Sequence, residues 1–298
     1  MCGIVGLFLK DKALEPELGA MLADMLVTMS DRGPDSAGIA IYGGAAADRA
    51  KLTVQSANPV VDFATLAADM AAGLGCDVVL RQKDTHAIIT LPAALLAKAR
   101  KSVTEINPAL SIMSAGEAIE IYKEVGLPAE VAARFDLSAT TGSHGIGHTR
   151  MATESAVTTL GAHPFSTGND QCLVHNGSLS NHNSWRRRLR QAGVEIATQN
   201  DTEVAAAYLT YRMREGDDLG QALENALGDL DGFYTFVVGT KDGFAVLRDP
   251  IACKPAVMAE TDQYVAFGSE YRALVNLPGI ETARVWEPEP ATVYFWKH

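Results

Sequence analysis

With 298 residues, 47% of them hydrophobic, the chain can bury one large core or two modest ones. Its formal net charge of −11 argues against nucleic acid and anionic membrane surfaces as partners, since both require basic protein surface. Four cysteines (Cys2, Cys76, Cys172 and Cys253) show no C-x-x-C pair and no metal-ligand spacing, which fits a reducing cytoplasm better than a disulfide scaffold.

The chain opens Met1-Cys2-Gly3-Ile4-Val5-Gly6, so loss of the initiator methionine would leave a cysteine carrying a free α-amine. That amine has an ordinary pKa of roughly 7.7–8.0 and sits within reach of the thiol on its own residue, directly or through one water. Nucleophile plus amine base is the arrangement of enzymes whose mature chain begins with Cys, Ser or Thr. A small buried residue opening a strand is the ordinary alternative, and Cys2 alone does not decide between them. The apolar run ends at Lys10 and Asp11 and lacks a basic n-region, so it does not read as a signal peptide. No stretch reaches the ~18 apolar residues of a membrane span, and the expected location is the cytoplasm.

Cys2 to Leu9 alternates as a strand, and Leu18, Met21, Leu22, Met25, Leu26 and Met29 recur at helical spacing. Arg32 to Gly38 reads as a loop and Ile39 to Tyr42 as a strand. From Gly44 to Gly142 the composition turns Ala-rich, suggesting a helix-leaning inserted layer or subdomain within one domain spanning 1–298. Helices are expected there at Leu66–Leu74, Ala93–Ala99 and Ala118–Arg134, with a strand at His86–Leu91. Beyond Ser143 short strands dominate: 145–150, 172–175, 233–239, 244–248, 264–268, near Val285 and 291–296. Helices interrupt them near 184–192 and 202–214. Strand runs with helices on their faces predict a layered sandwich with largely antiparallel sheets.

Four polar segments stand out from the Ala/Leu background: Arg32 to Gly38, Gly147 to Thr153, Val174-His175-Asn176-Gly177, and Asn200-Asp201-Thr202-Glu203. Taken with Cys2, they resemble the class II, N-terminal-nucleophile glutamine amidotransferases. Phosphoribosyl-pyrophosphate amidotransferase, glucosamine-6-phosphate synthase, asparagine synthetase and glutamate synthase share that domain. The resemblance covers about two-thirds of the chain, on both flanks of the insertion, with the motifs in family order. It implies an α+β fold, the four-layer αββα sandwich of Ntn hydrolases, here with a helix-rich insertion.

The same resemblance implies roles. Cys2 is the nucleophile, and Asn176 with the Gly177 N–H forms the oxyanion hole; the dipeptide alone is a common turn signal. Arg150 grips the substrate carboxylate with its rigid fork, and Thr153 is a second donor to it. Asp201 takes the substrate ammonium, its ordinary alternative being a helix N-cap. Arg32 supports the site and Asp35 is structural. The thiolate attacks the glutamine amide, the α-amine carries the proton to departing ammonia, and water releases glutamate from a γ-glutamyl thioester. The segment Met151-Ala152-Thr153-Glu154-Ser155 departs from the Trp-Ala-Thr-His-Gly of several members. Ala162-His163-Pro164-Phe165 and Leu173 to Leu179 look closer to the glutamate synthase branch.

His148, His163 and His175 read as histidines satisfied by hydrogen bonds, with a metal or base role the weaker option. Arg186, Arg187, Arg188 and Arg190 read as a solvated basic face, and Cys76, Cys172 and Cys253 as inert. No cofactor is expected in this chain. The resemblance is closest to standalone amidotransferase subunits of glutamate synthase or N-methylglutamate synthase, within hetero-oligomers whose partner subunits carry FMN and iron–sulfur clusters. A self-sufficient hydrolase of γ-glutamyl amides, or a glutamine-binding regulatory subunit without turnover, are the alternatives.

Overall fold

The computed structural model describes residues 2–298 apart from Ala45 and 153–155. In chain order the elements are β1 (Gly3–Leu9), α1 (Leu18–Thr28), β2 (Ser36–Tyr42), β3 (Arg49–Gln55), α2 (Pro59–Asp62), α3 (Leu66–Leu74), β4 (Val79–Lys83) and β5 (His86–Pro92). Next come α4 (Leu96–Ile106), β6 (Ser111–Gly116), β7 (Ile119–Val125), α5 (Pro128–Arg134), β8 (His144–Arg150), β9 (Gln171–Leu179) and α6 (His182–Gln191). The chain closes with α7 (Asp201–Arg214), α8 (Leu219–Asp229), β10 (Gly232–Thr240), β11 (Gly243–Arg248), β12 (Val257–Glu260), β13 (Tyr264–Gly268), β14 (Arg284–Trp286) and β15 (Val293–Lys297).

A seven-stranded sheet, ordered β14-β12-β13-β1-β8-β2-β7, faces a four-stranded sheet, ordered β15-β11-β10-β9. Both are antiparallel throughout. Strand β1 shows why the sheets stack. Its seven residues are all buried, and successive side chains point to opposite faces. Ile4 and Phe8 enter the layer between the sheets with Val174, Val237, Phe244 and Phe267. Val5, Leu7 and Leu9 face the other way, onto Leu22, Met25 and Leu26 of α1. Helices α7 and α8 cover the outer face of the smaller sheet through Val204, Tyr208, Leu219 and Leu223. The order is helix, sheet, sheet, helix: an α+β sandwich of four layers. Gly6 is required where the two sheets come closest, since a Cβ there would lie 2.6 Å from the Phe244 ring.

Residues 49–116 build a third antiparallel sheet, ordered β4-β5-β3-β6, with α3 and α4 packed on it through Leu66, Met70, Leu96 and Val103. Of its strands only β5 was legible in the sequence. The helix expected over 118–134 is instead β7 followed by α5. Ile119 and Ile121 point into the layer between the sheets while Tyr122 packs beneath α1 and α5. Pro128 at the first helical position then starts α5. Helix α8 was missed as well, although Leu219, Ala222, Leu223 and Ala226 are buried at helical spacing. The loop expected over Arg32–Gly38 is shorter than that, because β2 already begins at Ser36.

Candidate active site

Gly3 pairs with Thr149, and Ser36 with Arg150, so the start of β1, the end of β8 and the start of β2 meet at one margin of the large sheet. Cys2 lies there half-buried, its Sγ 3.9 Å from the Met151 carbonyl oxygen. Its main chain is held from several sides. Arg32 Nε donates to the Cys2 carbonyl oxygen at 2.9 Å, and Asn176 Nδ2 donates to the same oxygen at 3.2 Å. The next two N–H groups donate to hydroxyls, Gly3 to Thr149 Oγ1 at 3.2 Å and Ile4 to Ser269 Oγ at 2.9 Å. The backbone is thereby fixed, while the thiol's own contact is the long one to the Met151 carbonyl oxygen.

Arg32 is buried, and its guanidinium ion-pairs with Glu270, whose other oxygen accepts from Arg272 Nε at 2.7 Å. The hydrogen bond from Arg32, ahead of the charge of Arg272, holds the Glu270 carboxyl below its ordinary range. Sequence reading passed over Glu270, which sits in no motif and meets Arg32 only through the fold.

Asn176 and Gly177 were expected in a turn. They lie instead inside β9, which runs on to Leu179 opposite β10. Strand β9 is the edge of its sheet, and its odd-numbered residues turn their backbone groups outward. Leu173 exchanges both bonds with Phe165, at 3.0 and 2.9 Å, and the Leu179 N–H donates to Asp201 Oδ2 at 3.0 Å. Opposite Gly177, Tyr234 spends its own N–H and C=O on Asp249, at 3.1 and 3.0 Å. Gly177 and Tyr234 therefore form a pair without mutual hydrogen bonds, which aims the Gly177 N–H away from β10. Only glycine fits there, since φ is +147° and a Cβ would lie 1.9 Å from the Phe233 carbonyl oxygen.

Asp201 opens α7 but does not cap it. The cap is Asn200, whose side chain accepts from the Thr202 N–H at 2.9 Å. The Asp201 carboxylate is thus left for other work. Burial pushes its pKa up, and His175 together with the Leu179 N–H more than reverses that, bringing it to about 2. His175 Nδ1 stands 3.7 Å from Asp201 Oδ1 and shares a hydrogen bond with the Thr202 hydroxyl at 3.0 Å.

That hydroxyl also meets His163 Nε2 at 2.6 Å, and His148 Nε2 lies 3.2 Å from the His175 carbonyl oxygen. Burial, before any neighbouring charge, lowers His148 to about 3 and takes His163 well below its ordinary value. The histidines expected at strand edges or in loops, satisfied by hydrogen bonds, are buried, each with one ring nitrogen lacking a hydrogen-bond partner among the described residues. They form one buried cluster behind β9. Among the described residues no group of three or more His, Cys, Asp or Glu is placed to hold a metal ion.

Arg150 is buried at the end of β8, and its Nη1 donates to the Ala156 carbonyl oxygen at 3.3 Å. Asp35 pins the turn after it, accepting from the Ala152 N–H at 2.7 Å and donating its own N–H to the Arg150 carbonyl at 3.1 Å. Thr153 lies outside the described residues, as does Met1. The segment's far end is fastened by Lys123, a buried ammonium that donates to the carbonyls of Leu160, Ala162 and Pro164 at 3.2, 2.8 and 3.2 Å. Burial lowers its pKa to about 7 against the pull of Glu203. The basic face expected on α6 divides. Arg187 and Arg188 are exposed, whereas Arg186 is buried and donates to the carbonyls of Gln199 and Asn200 at 2.8 and 3.3 Å, setting the approach to Asp201. Cys172 is buried, which pushes its thiol up to about 12, and all four cysteines are free.

Comparison with known proteins gives the geometry its context. Residues 148–276 match a family model described as a glutamine amidotransferase domain. A protein of Rhizobium meliloti, the glutamine amidotransferase-like protein GlxB, is 70% identical over 299 residues, covering 100% of this chain and 99% of its own. A glutamine–fructose-6-phosphate aminotransferase of Xylella fastidiosa is 40% identical over 129 residues, covering 43% of this chain and 21% of its own. The solved glutamine phosphoribosylpyrophosphate amidotransferase of Bacillus subtilis superposes with a TM-score of 0.63 at 20% identity, over 99% of this chain and 47% of that one.

Proposed function

The chain belongs to the class II glutamine amidotransferases, and from that we propose that it hydrolyses glutamine through Cys2 and hands the nitrogen to a separate partner subunit. The observation that carries the reading is the convergence of Arg32 Nε, from the turn before β2, and Asn176 Nδ2, from β9, on the Cys2 carbonyl oxygen, which fixes the residue by its main chain and not by its sulfur.

In this reading the α-amine of Cys2, freed by removal of Met1, takes the thiol proton. The thiolate adds to the side-chain amide carbon, and the developing oxyanion is held by the second N–H of the Asn176 carboxamide and by the outward N–H of Gly177. A carboxamide has two donor hydrogens, so the bond to Cys2 does not exhaust it. Collapse breaks the C–N bond, the amine passes its proton to the leaving nitrogen, and ammonia departs. Water then opens the thioester, giving glutamate and restoring the thiol. Arg150 and Thr153 take the α-carboxylate of glutamine and Asp201, ionised at any pH above about 2, takes its α-ammonium. Ammonia must be passed on in a dry site, because in bulk water at neutral pH it is protonated and lost as a nucleophile.

The partner is a glutamate synthase-like flavoprotein, of the glutamate synthase or N-methylglutamate synthase type, carrying FMN and iron–sulfur clusters. What supports the amidotransferase half of this reading is the 70% identity to a glutamine amidotransferase-like protein. The inserted layer, 44–142, is then a surface available for the partner. The test is intact-mass measurement of active protein, with glutamate release assayed for the wild type and Cys2→Ala, alone and with copurified partners. Fully active protein retaining Met1, or a Cys2→Ala variant of undiminished rate, overturns the mechanism. A chain that always purifies alone overturns the partner.

A further inference from the structure

A groove of about 620 Å3 runs between α4 of the inserted layer and the C-terminal end of α7. Arg100 and Lys101 reach it from α4, Arg214 from α7, and Glu195 from the loop before α7, with Thr167 and Asn169 along its floor. Among the described residues, none of the side chains of Arg100, Lys101 and Arg214 has a hydrogen bond or ion pair. Three positive charges against one negative leave the groove near +2, in a chain whose net charge is −11.

Ordinary solvated cations would turn outward and apart. Arg100 instead is half-buried in the groove wall, where burial, with repulsion from Arg214 set against the pull of Glu195, lowers its pKa. A half-buried guanidinium with its five donors unpaired is costly, and an oxyanion between like charges relieves both the desolvation and the repulsion. The groove's volume falls within the range of small-molecule sites. A tetrahedral anion accepts donors from several directions at once, which is what cations on two separate helices offer, and the hydroxyl and carboxamide of Thr167 and Asn169 suit an uncharged polar remainder.

We propose that this groove binds a small metabolite bearing a phosphate monoester. Such a ligand bridges the inserted layer to α7, the helix whose other end begins at Asp201. The site is separate from the one described above and does not depend on its chemistry.

The test is calorimetric titration of the full chain at constant ionic strength with glycerol 3-phosphate, inorganic phosphate and 2-oxoglutarate, repeated on Arg100→Gln and Arg214→Gln. Glycerol 3-phosphate is expected to bind saturably, more tightly than inorganic phosphate and far more tightly than 2-oxoglutarate. Each variant should weaken it about tenfold or more, the loss of one charge-assisted contact. Arg214→Gln changes an exposed residue, so it keeps the test open if Arg100→Gln folds poorly. No saturable binding of either phosphate below about 10 mM, or equal binding by both variants, overturns the site. Binding of 2-oxoglutarate as tight as that of glycerol 3-phosphate overturns the phosphate assignment. Glutamine hydrolysis without added ligand should be unchanged in both variants, which separates failure here from failure of the glutaminase mechanism.

Discussion

Asn176 on the smaller sheet donates to the carbonyl oxygen of Cys2 at the margin of the larger one, at 3.2 Å, so one carboxamide ties the two sheets together at the proposed nucleophile. Asn176→Ala removes that positioning bond and, in the proposed mechanism, an oxyanion donor. Its kcat for glutamine hydrolysis should fall by ~10²–10³ with little change in KM, as steady-state assay of glutamate release will show.

Glu270 holds the guanidinium that holds Cys2. Glu270→Gln should lower kcat/KM roughly tenfold through misplacement of the nucleophile. Stability should change by less than about 1 kcal/mol, because this carboxylate is partly exposed and screened by solvent. Comparing urea denaturation with initial rates separates the two effects.

Gly177→Ala tests the outward turn of β9. Its φ of +147° and the carbonyl oxygen of Phe233 at 1.9 Å from the new Cβ leave no room for a side chain. The variant should lose at least about 2 kcal/mol of unfolding free energy and nearly all activity.

Lys123 gives the fold an alkaline signature. Its folded pKa of about 7 lies below the ordinary lysine value, so between pH 7 and about 10.5 the unfolded chain binds more protons. Stability should therefore rise across that window in the wild type. In Lys123→Met this rise should be missing, and denaturation curves at pH 6, 8 and 10 will reveal it.

Asp201 acts at the opposite end of the scale. Its folded pKa of about 2 lies below the unfolded value near 3.9, so its contribution is complete above pH 4 and is lost as pH falls through 2. Asp201→Asn should lack this acid-limb term. It should also raise KM for glutamine by about ten- to a hundredfold, the worth of the proposed charged contact to the substrate ammonium.

The sequence carried the site's residue types further than it carried their backbone. Cys2, Arg150, Asn176 and Asp201 could be singled out because their short segments stand apart from the Ala/Leu background and resemble a known family's motifs in order. That Asn176 and Gly177 stay within a strand was not, since the dipeptide signals a turn and only pairing with β10 extends β9 through it. Strand β7 was hidden because its charged residues Glu120, Lys123 and Glu124 recur at i, i+3 and i+4, the spacing of a helix's polar face, although all three are buried. The contacts of Arg32 with Glu270, and of His163 and His175 with Thr202, join residues 238, 39 and 27 positions apart, and nothing local announces them. Arg186 looked like one more solvent-facing cation; what distinguishes it from Arg187 is its place on the inner stripe of α6, beside the buried Leu189.

A sheet flank left without a neighbouring strand is ordinarily an invitation for another chain to add itself, and the first place where a β-protein aggregates. On β9 the invitation has been withdrawn group by group: Leu173 is taken by Phe165, the carbonyl of His175 by His148, the N–H of Leu179 by Asp201. In the proposed mechanism the outward N–H of Gly177 is kept for a substrate oxygen small enough to enter. The hazard of an open border has become a gate one atom wide.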